Sequence, residues 1–363
     1  MTQPIKKKNL SVVVAMSGGV DSSITAQILK NEGYDVTGMI MRLWGDEANS
    51  AQTLKMEQAI SDAGEMADIL DIPLLVKDYR KEFNKIVIDY FVRAYENATT
   101  PNPCPVCNKQ IKFGLLVEEA EKIGARYLAT GHYCRIVKAG DLYLLQKGVD
   151  DRKDQSYFLY QLNQHQLSRL LFPLGGLLKS QVREMAQVDN LPVKNRPESQ
   201  DLCFIADNDY RGFVSRHSGM DFKKGPIVDA TGRVLGQHTG LPCYTIGQRR
   251  GIGVSAGEPL YVTDMRQEEN TLVVGNKQDR IRYELTAGDV NMISGEMPTS
   301  PTPVTLKIRY AAKGVDAQLT YLGEGRVHLA SEAELNDVAP GQSAVFYQDE
   351  TLLGGGIIEP QPV

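Results

Sequence analysis

The chain has 363 residues, of which 42% are hydrophobic, and a formal net charge of -5. This length predicts two or three domains. No apolar run approaches the roughly 20 residues that a membrane-spanning helix needs, which excludes a helical membrane protein. Five cysteines in so long a chain argue against a disulfide framework and favour redox, metal or catalytic use. We therefore expect a cytoplasmic protein.

The first part of the chain alternates predicted strands and helices. Strands are predicted at 10–15, 35–41, 73–76 and 127–130. Helices are predicted at 22–30, 52–70, 81–95, 111–123 and 177–188. Such alternation predicts an α/β domain with a doubly wound parallel sheet, whose ligands bind at the carboxyl ends of the strands.

The texture of the sequence changes from about Asp221 onward to short segments with frequent Gly and Pro, and from about Tyr283 to strand-like alternation. Strands are predicted at 304–310, 317–322, 327–329, 344–347 and 352–358. This pattern indicates a small antiparallel β-barrel. We therefore predict the α/β domain at 1–218, a small central domain at 219–282 and a C-terminal antiparallel β-barrel at 283–363.

Residues 17–22 read S-G-G-V-D-S and lie where the first predicted strand runs into a helix. Two glycines allow backbone N–H groups to close on a ligand, and the helix N-terminus adds unpaired donors and a positive dipole end. No Gly-Lys-Ser/Thr follows, so the loop is not of the Walker type. A cradle without that lysine suits pyrophosphate as the group that is held and released, which indicates nucleotidyl transfer to a substrate oxygen. A plain Gly-rich turn is the alternative.

Residues 99–113 read T-T-P-N-P-C-P-V-C-N-K-Q-I-K-F and place two cysteines three residues apart, in a loop before a predicted helix. The helix N-terminus, Lys109 and Lys112 are expected to lower the thiol pKa of Cys104 and Cys107 below its free value of about 8.5. Cys203, in S-Q-D-L-C-F-I, is the third candidate. The remaining two are interpreted as small buried hydrophobic residues: Cys134 at a strand end and Cys243 in a strand.

Together these motifs resemble those of the tRNA-specific 2-thiouridylases, adenine-nucleotide α-hydrolase-like enzymes that thiolate the wobble uridine of certain tRNAs. The resemblance runs through nearly the whole chain, and it implies that 1–218 is a catalytic PP-loop ATP pyrophosphatase domain. Besides the loop at 17–22, its motifs are N-P-x-x-x-C-N-K-x-I-K-F at 102–113, A-T-G-H-Y at 129–133, K-D-Q-S-Y-F-L-Y at 153–160, C-F-I from 203, G-Q-R-x-G-x-G at 247–253 and P-G-Q-S-A-V-F-Y at 340–347.

The resemblance implies roles for three groups of residues. ATP, with Mg²⁺, would lie on Ala15, Met16, Ser17, Gly18, Gly19, Val20, Asp21 and Ser22, flanked by Met41 and Gly131. The catalytic nucleophile would be Cys107, and Cys203 would carry the incoming sulfur as a persulfide. The target base would be surrounded by Asn102, Pro103 and Cys104. Further tRNA contacts would be His132, Lys153, Asp154, Gln155, Arg309, Tyr310 and Gln342.

The activity implied by the resemblance has two steps. The 2-carbonyl oxygen of the wobble uridine is adenylated with release of pyrophosphate, and sulfur then replaces the activated oxygen to give 2-thiouridine and AMP. The expected partners are tRNA and either a sulfur donor protein or inorganic sulfide, with no membrane or DNA partner.

One position departs from the better-known members, which carry aspartate where this chain has Cys104. A third thiol beside Cys107 and Cys203 is what a 4Fe–4S cluster needs when one iron is left free to hold sulfide. These three cysteines are therefore also candidate ligands of such a cluster. A closed zinc site would require a fourth protein ligand.

Two other functions stay open at this point. Another pyrophosphate-releasing ligase or amidotransferase would use the same loop on a small molecule, but it explains neither the cysteines nor the barrel. A tRNA- or nucleotide-binding module without catalysis would need neither an intact loop nor reactive cysteines. The sequence does not name the sulfur donor, the tRNAs or the oligomeric state.

Overall fold

A computed structural model describes residues 10–45, 50–196, 202–205, 209–219, 222–254 and 257–360. The α-helices in these residues are α1 (Val20–Asn31), α2 (Ser50–Ile69), α3 (Arg80–Phe83), α4 (Asp89–Glu96), α5 (Pro103–Val106), α6 (Leu116–Lys122), α7 (Gln164–Leu167), α8 (Lys179–Val188) and α9 (Tyr210–Ser218). Two π-helical segments, Asn84–Ile88 and Cys107–Leu115, make 80–96 and 103–122 continuously helical. Single 3₁₀ turns occur at Ser156–Leu159, Pro173–Gly176, Pro192–Asn195, Leu241–Cys243 and Gln278–Arg280.

The strands are, in chain order, β1 (Ser11–Met16), β2 (Asp35–Arg42), β3 (Leu74–Asp78), β4 (Tyr127–Ala129), β5 (Cys134–Ala139), β6 (Leu142–Lys147), β7 (Leu170–Leu171), β8 (Gly225–Val228), β9 (Val234–His238), β10 (Tyr261–Arg266), β11 (Thr271–Gly275), β12 (Ile281–Met292), β13 (Thr302–Lys307), β14 (Val315–Gly323), β15 (Arg326–Asn336), β16 (Ser343–Gln348) and β17 (Thr351–Ile358). They form three sheets within the described residues. None of the helices in that part of the chain is long and apolar enough to cross a membrane.

The first sheet is parallel throughout and has the order β3-β2-β1-β4-β7. Its central strand is buried on both faces, with Val12, Val13 and Val14 almost wholly inaccessible. That burial is typical of a parallel strand that helices cover on both sides. The predicted doubly wound sheet is therefore confirmed.

The C-terminal sheet has the order β12-β15-β14-β13-β16-β17, and β12 also pairs with β17, which closes the predicted antiparallel barrel. The hairpin of β5 and β6 extends this sheet, because Leu145 and Gln146 pair with Leu352 and Thr351. A segment from the first part of the chain thus joins the barrel, which the sequence analysis did not foresee.

The central sheet has the order β10-β11-β8-β9, and its core includes Val262, Leu272 and Val274. Cys243 belongs to the same buried cluster, as predicted, but it lies on a 3₁₀ turn and not in a strand. The strand prediction was wrong because Pro242, which precedes it, lacks the N–H that a sheet ladder needs.

Candidate active site

The predicted phosphate-binding loop connects β1, which ends at Met16, to α1, which begins at Val20. Hydroxyl groups hold the loop closed: the Ser17 N–H donates to Ser22 Oγ (3.1 Å), and Ser22 Oγ donates to the Gly19 carbonyl (3.1 Å). Gly19 is the N-cap of α1 and makes no side-chain cap hydrogen bond. The first N–H groups of this 12-residue helix are therefore available to an anion.

Gly18 and Gly19 differ in their backbone conformation and in the space that a side chain would have. Gly18 has a φ of +68°, and a Cβ built on it would lie 2.5 Å from the Ala59 carbonyl oxygen of α2. Gly19 has a φ of -104°, and its Cβ would meet only Ser17 Oγ, at 3.4 Å. A side chain at position 18 therefore requires backbone to move, whereas one at position 19 does not.

We expect Gly18→Ala to lower the free energy of unfolding by about 2–6 kcal/mol, since a left-handed non-glycine residue and a steric clash each cost about 1–3 kcal/mol. Gly19→Ala should cost about 1 kcal/mol or less, as at other N-caps. Urea unfolding of the two variants measures both values. Equal losses would contradict the assignment of the close approach to Gly18.

The predicted nucleotide residues share one edge of the parallel sheet. Met41 lies one residue beyond Ile40, which pairs with Met16 at the end of β1. Gly131 follows β4 on the other side, and a Cβ there would lie 2.9 Å from Asp21 Cβ. The structure therefore brings 15–22, Met41 and Gly131 together, while their contact with ATP stays a prediction.

Asp21, on the first turn of α1, has two partners that the sequence analysis missed. Lys179 Nζ lies 2.6 Å from Asp21 Oδ1 and 2.7 Å from Oδ2, and the Tyr133 hydroxyl donates to Oδ1 at 2.8 Å. Lys179 is the first residue of α8 and is buried. Sequence offered no signal for this contact, because 158 residues separate the two charges.

The candidate sulfur residues also converge. Cys104 lies in α5, half-buried, and Cys107 follows it, buried, at the start of a π-helical segment. The described residues beside Cys203, Phe204 and Ile205, pack in the same hydrophobic cluster as Cys107. Ser199, Gln200 and Asp201 of the predicted motif lie outside the described residues. The predicted loop is helical from Pro103 onward, because proline is preorganised for the first helical position.

The pKa values of the three thiols are raised, not lowered as predicted. Burial raises the pKa of Cys104, and it raises that of Cys107 to about 11. Desolvation is the largest cause that raises the pKa of Cys203 to about 12, and the Cys107 thiol is the second. Lys112 lowers all three values, but by less than burial raises them.

These mutual effects place Cys107, Cys203 and Cys104 within electrostatic range of one another. Among the described residues, however, no group of three or more His, Cys, Asp or Glu side chains is arranged to hold a metal ion. The described residues therefore give no support to the predicted 4Fe–4S cluster, which stays a prediction.

His132 connects the nucleotide edge to the thiols. It follows Gly131, and its Nδ1 lies 2.7 Å from Thr130 Oγ1. Burial, together with the Lys112 charge that also acts on the thiols, keeps its pKa well below 6.5. His132 is therefore neutral near pH 7, and its predicted contact with tRNA stays untested.

The predicted base-binding segment is anchored to the barrel. Gln342 Nε2 donates to the carbonyls of Thr100 (3.0 Å) and Pro101 (3.1 Å), and Asn102 Nδ2 donates to Ser343 Oγ (3.3 Å). Gln342 thus positions the segment that contains Asn102 and Pro103. Its direct contact with tRNA stays a prediction.

Arg309 and Tyr310 follow β13 on the barrel surface. Arg309 Nη2 donates to the Asp337 carbonyl (2.9 Å) and pairs with its carboxylate (2.9 Å). The Tyr310 ring is exposed and lies 4.7 Å from that of Phe158. Exposed arginine and tyrosine side chains suit contacts to phosphate and to bases.

Residues 153–155 form a turn beside this surface. Asp154 is 7% exposed, and its carboxylate accepts hydrogen bonds from the backbone N–H groups of Gly148 and Ser156, both at 3.1 Å. Gln155 Oε1 accepts from the Tyr133 N–H (3.0 Å), and Lys153 is half-buried. The burial of Asp154 favours a role in shaping the turn, and its predicted contact with tRNA stays untested.

Comparisons with known proteins identify the family. The family model described as tRNA methyl transferase HUP domain matches residues 10–207, that described as tRNA methyl transferase PRC-barrel domain matches 211–276, and that described as Aminomethyltransferase beta-barrel domain matches 282–358. The tRNA-specific 2-thiouridylase MnmA of Clostridioides difficile is 43% identical over 359 residues, which cover 97% of this chain and 98% of that protein. The chain belongs to the tRNA-specific 2-thiouridylase family.

Other relatives agree with this membership. The MnmA protein of Carboxydothermus hydrogenoformans is 44% identical over 357 residues, covering 96% of this chain and 97% of that protein. A solved structure titled U34-tRNA thiolase NcsA from Methanococcus maripaludis with its [4Fe-4S] cluster is 18% identical and covers 59% of this chain and 66% of that one. Its TM-score of 0.38 is too low to support an inference about this member of the 2-thiouridylase family.

Proposed function

We propose that this chain is the ATP-dependent enzyme that converts the wobble uridine of tRNA to 2-thiouridine. Relatives that are 43–45% identical over the whole chain carry the 2-thiouridylase name, so we take the activity from them and not from the methyl transferase description of the domain models. The main observation in support is that the phosphate loop and the three thiols belong to one continuous site. Gly131 packs on the phosphate loop at Asp21, and the adjacent His132 and the three thiols all lie within range of Lys112.

The first step is adenylation. A uridine 2-carbonyl has no leaving group, and attack of its oxygen on the α-phosphate of ATP supplies one as pyrophosphate departs. The uncapped N-terminus of α1 and the loop 17–19 would hold the phosphates, which fits the geometry of an anion site. Mg²⁺ would be held by the phosphate oxygens, and it would neutralise charge on the departing pyrophosphate.

For the second step we favour a persulfide relay. The terminal sulfur of a Cys203 persulfide attacks the activated C2, and AMP leaves with the C–O electron pair. The Cys107 thiolate then attacks Cys203 Sγ, which breaks the S–S bond and leaves sulfur on the base. The resulting Cys107–Cys203 disulfide is reduced by an external thiol. The electrostatic effect of Cys107 on Cys203 supports this route, as does the packing of Phe204 and Ile205 in the same cluster as Cys107.

The relay also constrains the sulfur donor. A persulfide contains sulfur that is more oxidised than sulfide, so a donor protein that carries a persulfide matches this route without an added oxidant. Inorganic sulfide matches the alternative of a 4Fe–4S cluster on Cys104, Cys107 and Cys203. Because the described residues show no metal-holding group, we derive no step through a cluster.

The domain roles follow from the contacts between them. We propose that 1–218 activates the base, that 283–363 holds tRNA, and that 219–282 connects the two. The hydrogen bonds of Gln342 and Asn102 across 1–218 and 283–363 support a single tRNA-binding face. Since tRNA is the substrate, we place the enzyme in the cytoplasm.

Pyrophosphate release tests this function. We expect release from ATP to depend on added tRNA with uridine at the wobble position. The same tRNA with cytidine at that position is the matched control and should give the background rate. Equal release with both tRNAs, or with no tRNA, would favour a ligase acting on a small molecule. Binding of tRNA without any release would favour a module without catalysis.

A further inference from the structure

The phosphate loop lacks a lysine of its own, yet the fold brings one to it. Lys179, at the start of α8, places its ammonium 2.6 and 2.7 Å from the two carboxylate oxygens of Asp21. The side chain of Lys179 is 10% exposed and that of Asp21 is 33% exposed. Both charges therefore meet at a largely buried point on the first turn of α1.

The contact is fixed from both sides. The Lys179 backbone N–H donates to Asp150 Oδ2 at 2.9 Å, which anchors the start of α8. The Tyr133 hydroxyl donates to Asp21 Oδ1 at 2.8 Å, and Lys179 Nζ lies 5.6 Å from the centre of the Tyr133 ring. The Asp21 carboxylate therefore has a set direction, with three hydrogen bonds from two partners.

A carboxylate in this position creates an electrostatic problem for ATP. The loop presents its N–H donors to a triphosphate that carries several negative charges, and Asp21 adds a like charge on the same helical turn. Two like charges repel more strongly where protein replaces water. A bound ammonium removes this repulsion while leaving the carboxylate in place.

We propose that Lys179 is the counter-ion of Asp21, and that its charge allows the loop to accept ATP. This inference rests on the proposed function only in taking ATP as the ligand of the loop. Lys179 acts through Asp21 and is thus a positioning residue. It supplies, from α8, the positive charge that a Walker-type loop carries in its own sequence.

Equilibrium ATP binding without tRNA tests the proposal. Lys179→Met should weaken ATP binding about tenfold or more, because an uncompensated carboxylate stays beside the phosphates. Asp21→Asn combined with Lys179→Met should bind ATP within about threefold of wild type, because the repulsion is then gone. The matched control is Lys122→Met, which removes an exposed lysine–carboxylate pair of similar length, 2.7 Å to Glu119, and should leave affinity unchanged.

Two outcomes would overturn the inference. Normal ATP affinity in a folded Lys179→Met variant would show that the charge is not needed. A double variant that binds ATP at least tenfold more weakly than wild type would show instead that Lys179 holds the phosphates directly. If Lys179→Met fails to fold, the double variant still tests direct binding of the phosphates by Lys179, because it buries neither charge. These readouts need no tRNA, so a failure of thiolation is separable from a failure of the counter-ion role.

Discussion

Replacing Asp21 by alanine is expected to abolish ATP-dependent activation of tRNA while the chain stays folded. Asp21 directs the first turn of α1 through its bonds to Lys179 and Tyr133, and it is the acidic residue within the loop 15–22. Loss of a preorganised charged group at a reacting centre typically costs about 10²–10³ in rate. The measurement is pyrophosphate released per minute from ATP and tRNA.

The control for this variant is Asp78→Ala, which removes an exposed carboxylate paired with Arg80 at the carboxyl end of β3. It changes the same sheet edge two strands away from β1 and should keep the wild-type rate. Far-ultraviolet circular dichroism checks the fold of both variants. Full activity with normal ATP affinity in Asp21→Ala would end the phosphate-site role of Asp21.

Patterns among neighbouring residues correctly predicted those elements of the fold that depend on neighbouring residues. The strand-to-helix transition around 17–22 and the alternation of Val304 and Leu306 in β13 are encoded by neighbours in the sequence. The hairpin of β5 and β6 was missed. Its place in the barrel depends on pairing with β17, more than 200 residues later, which no local pattern shows.

The candidate site shows the same division. The sequence placed Met41 and Gly131 at one sheet edge, because parallel strands present their carboxyl ends together. The sequence-based prediction of lowered thiol pKa values was wrong. Lys112 does lower the pKa of Cys107, as expected, but burial raises that pKa by more. Burial is a property of the packed core around Phe91 and Phe204, not of the residues adjacent in sequence. Lys179 was missed because its partner lies on another element.

The largest expected effect on sulfur transfer is that of Cys203→Ala, which should stop 2-thiouridine formation while tRNA-dependent pyrophosphate release continues. Adenylation uses the loop and the uridine oxygen, and it needs no thiol. Cys107→Ala should also stop 2-thiouridine formation, because no thiolate is then present to break the S–S bond between Cys203 and the sulfur on the base. The matched control is Cys243→Ala, a buried cysteine of the central sheet's core, which should retain thiolation. Loss of pyrophosphate release in Cys203→Ala would contradict this division of labour.

Cys104→Asp distinguishes the two sulfur routes. In the relay Cys104 carries no sulfur, so the variant should thiolate tRNA from a persulfide donor at a rate close to that of wild type. If a cluster operates, an oxygen ligand replaces a soft thiolate and iron retention should fall. Iron counting after anaerobic reconstitution, followed by a thiolation assay, measures both. Iron-free protein that works at full rate would exclude the cluster.

The pH dependence of the same thiolation assay gives an independent decision. The pKa of Cys107 is raised to about 11. Below that pH, its thiolate fraction therefore increases about tenfold for each unit by which the pH rises. A relay limited by attack of Cys107 should therefore accelerate steeply between pH 7 and 9, while pyrophosphate release does not follow that slope. Cysteines bound to iron are already deprotonated, so a cluster route predicts a flat profile. A flat profile in iron-free protein would show that attack by Cys107 does not limit the rate.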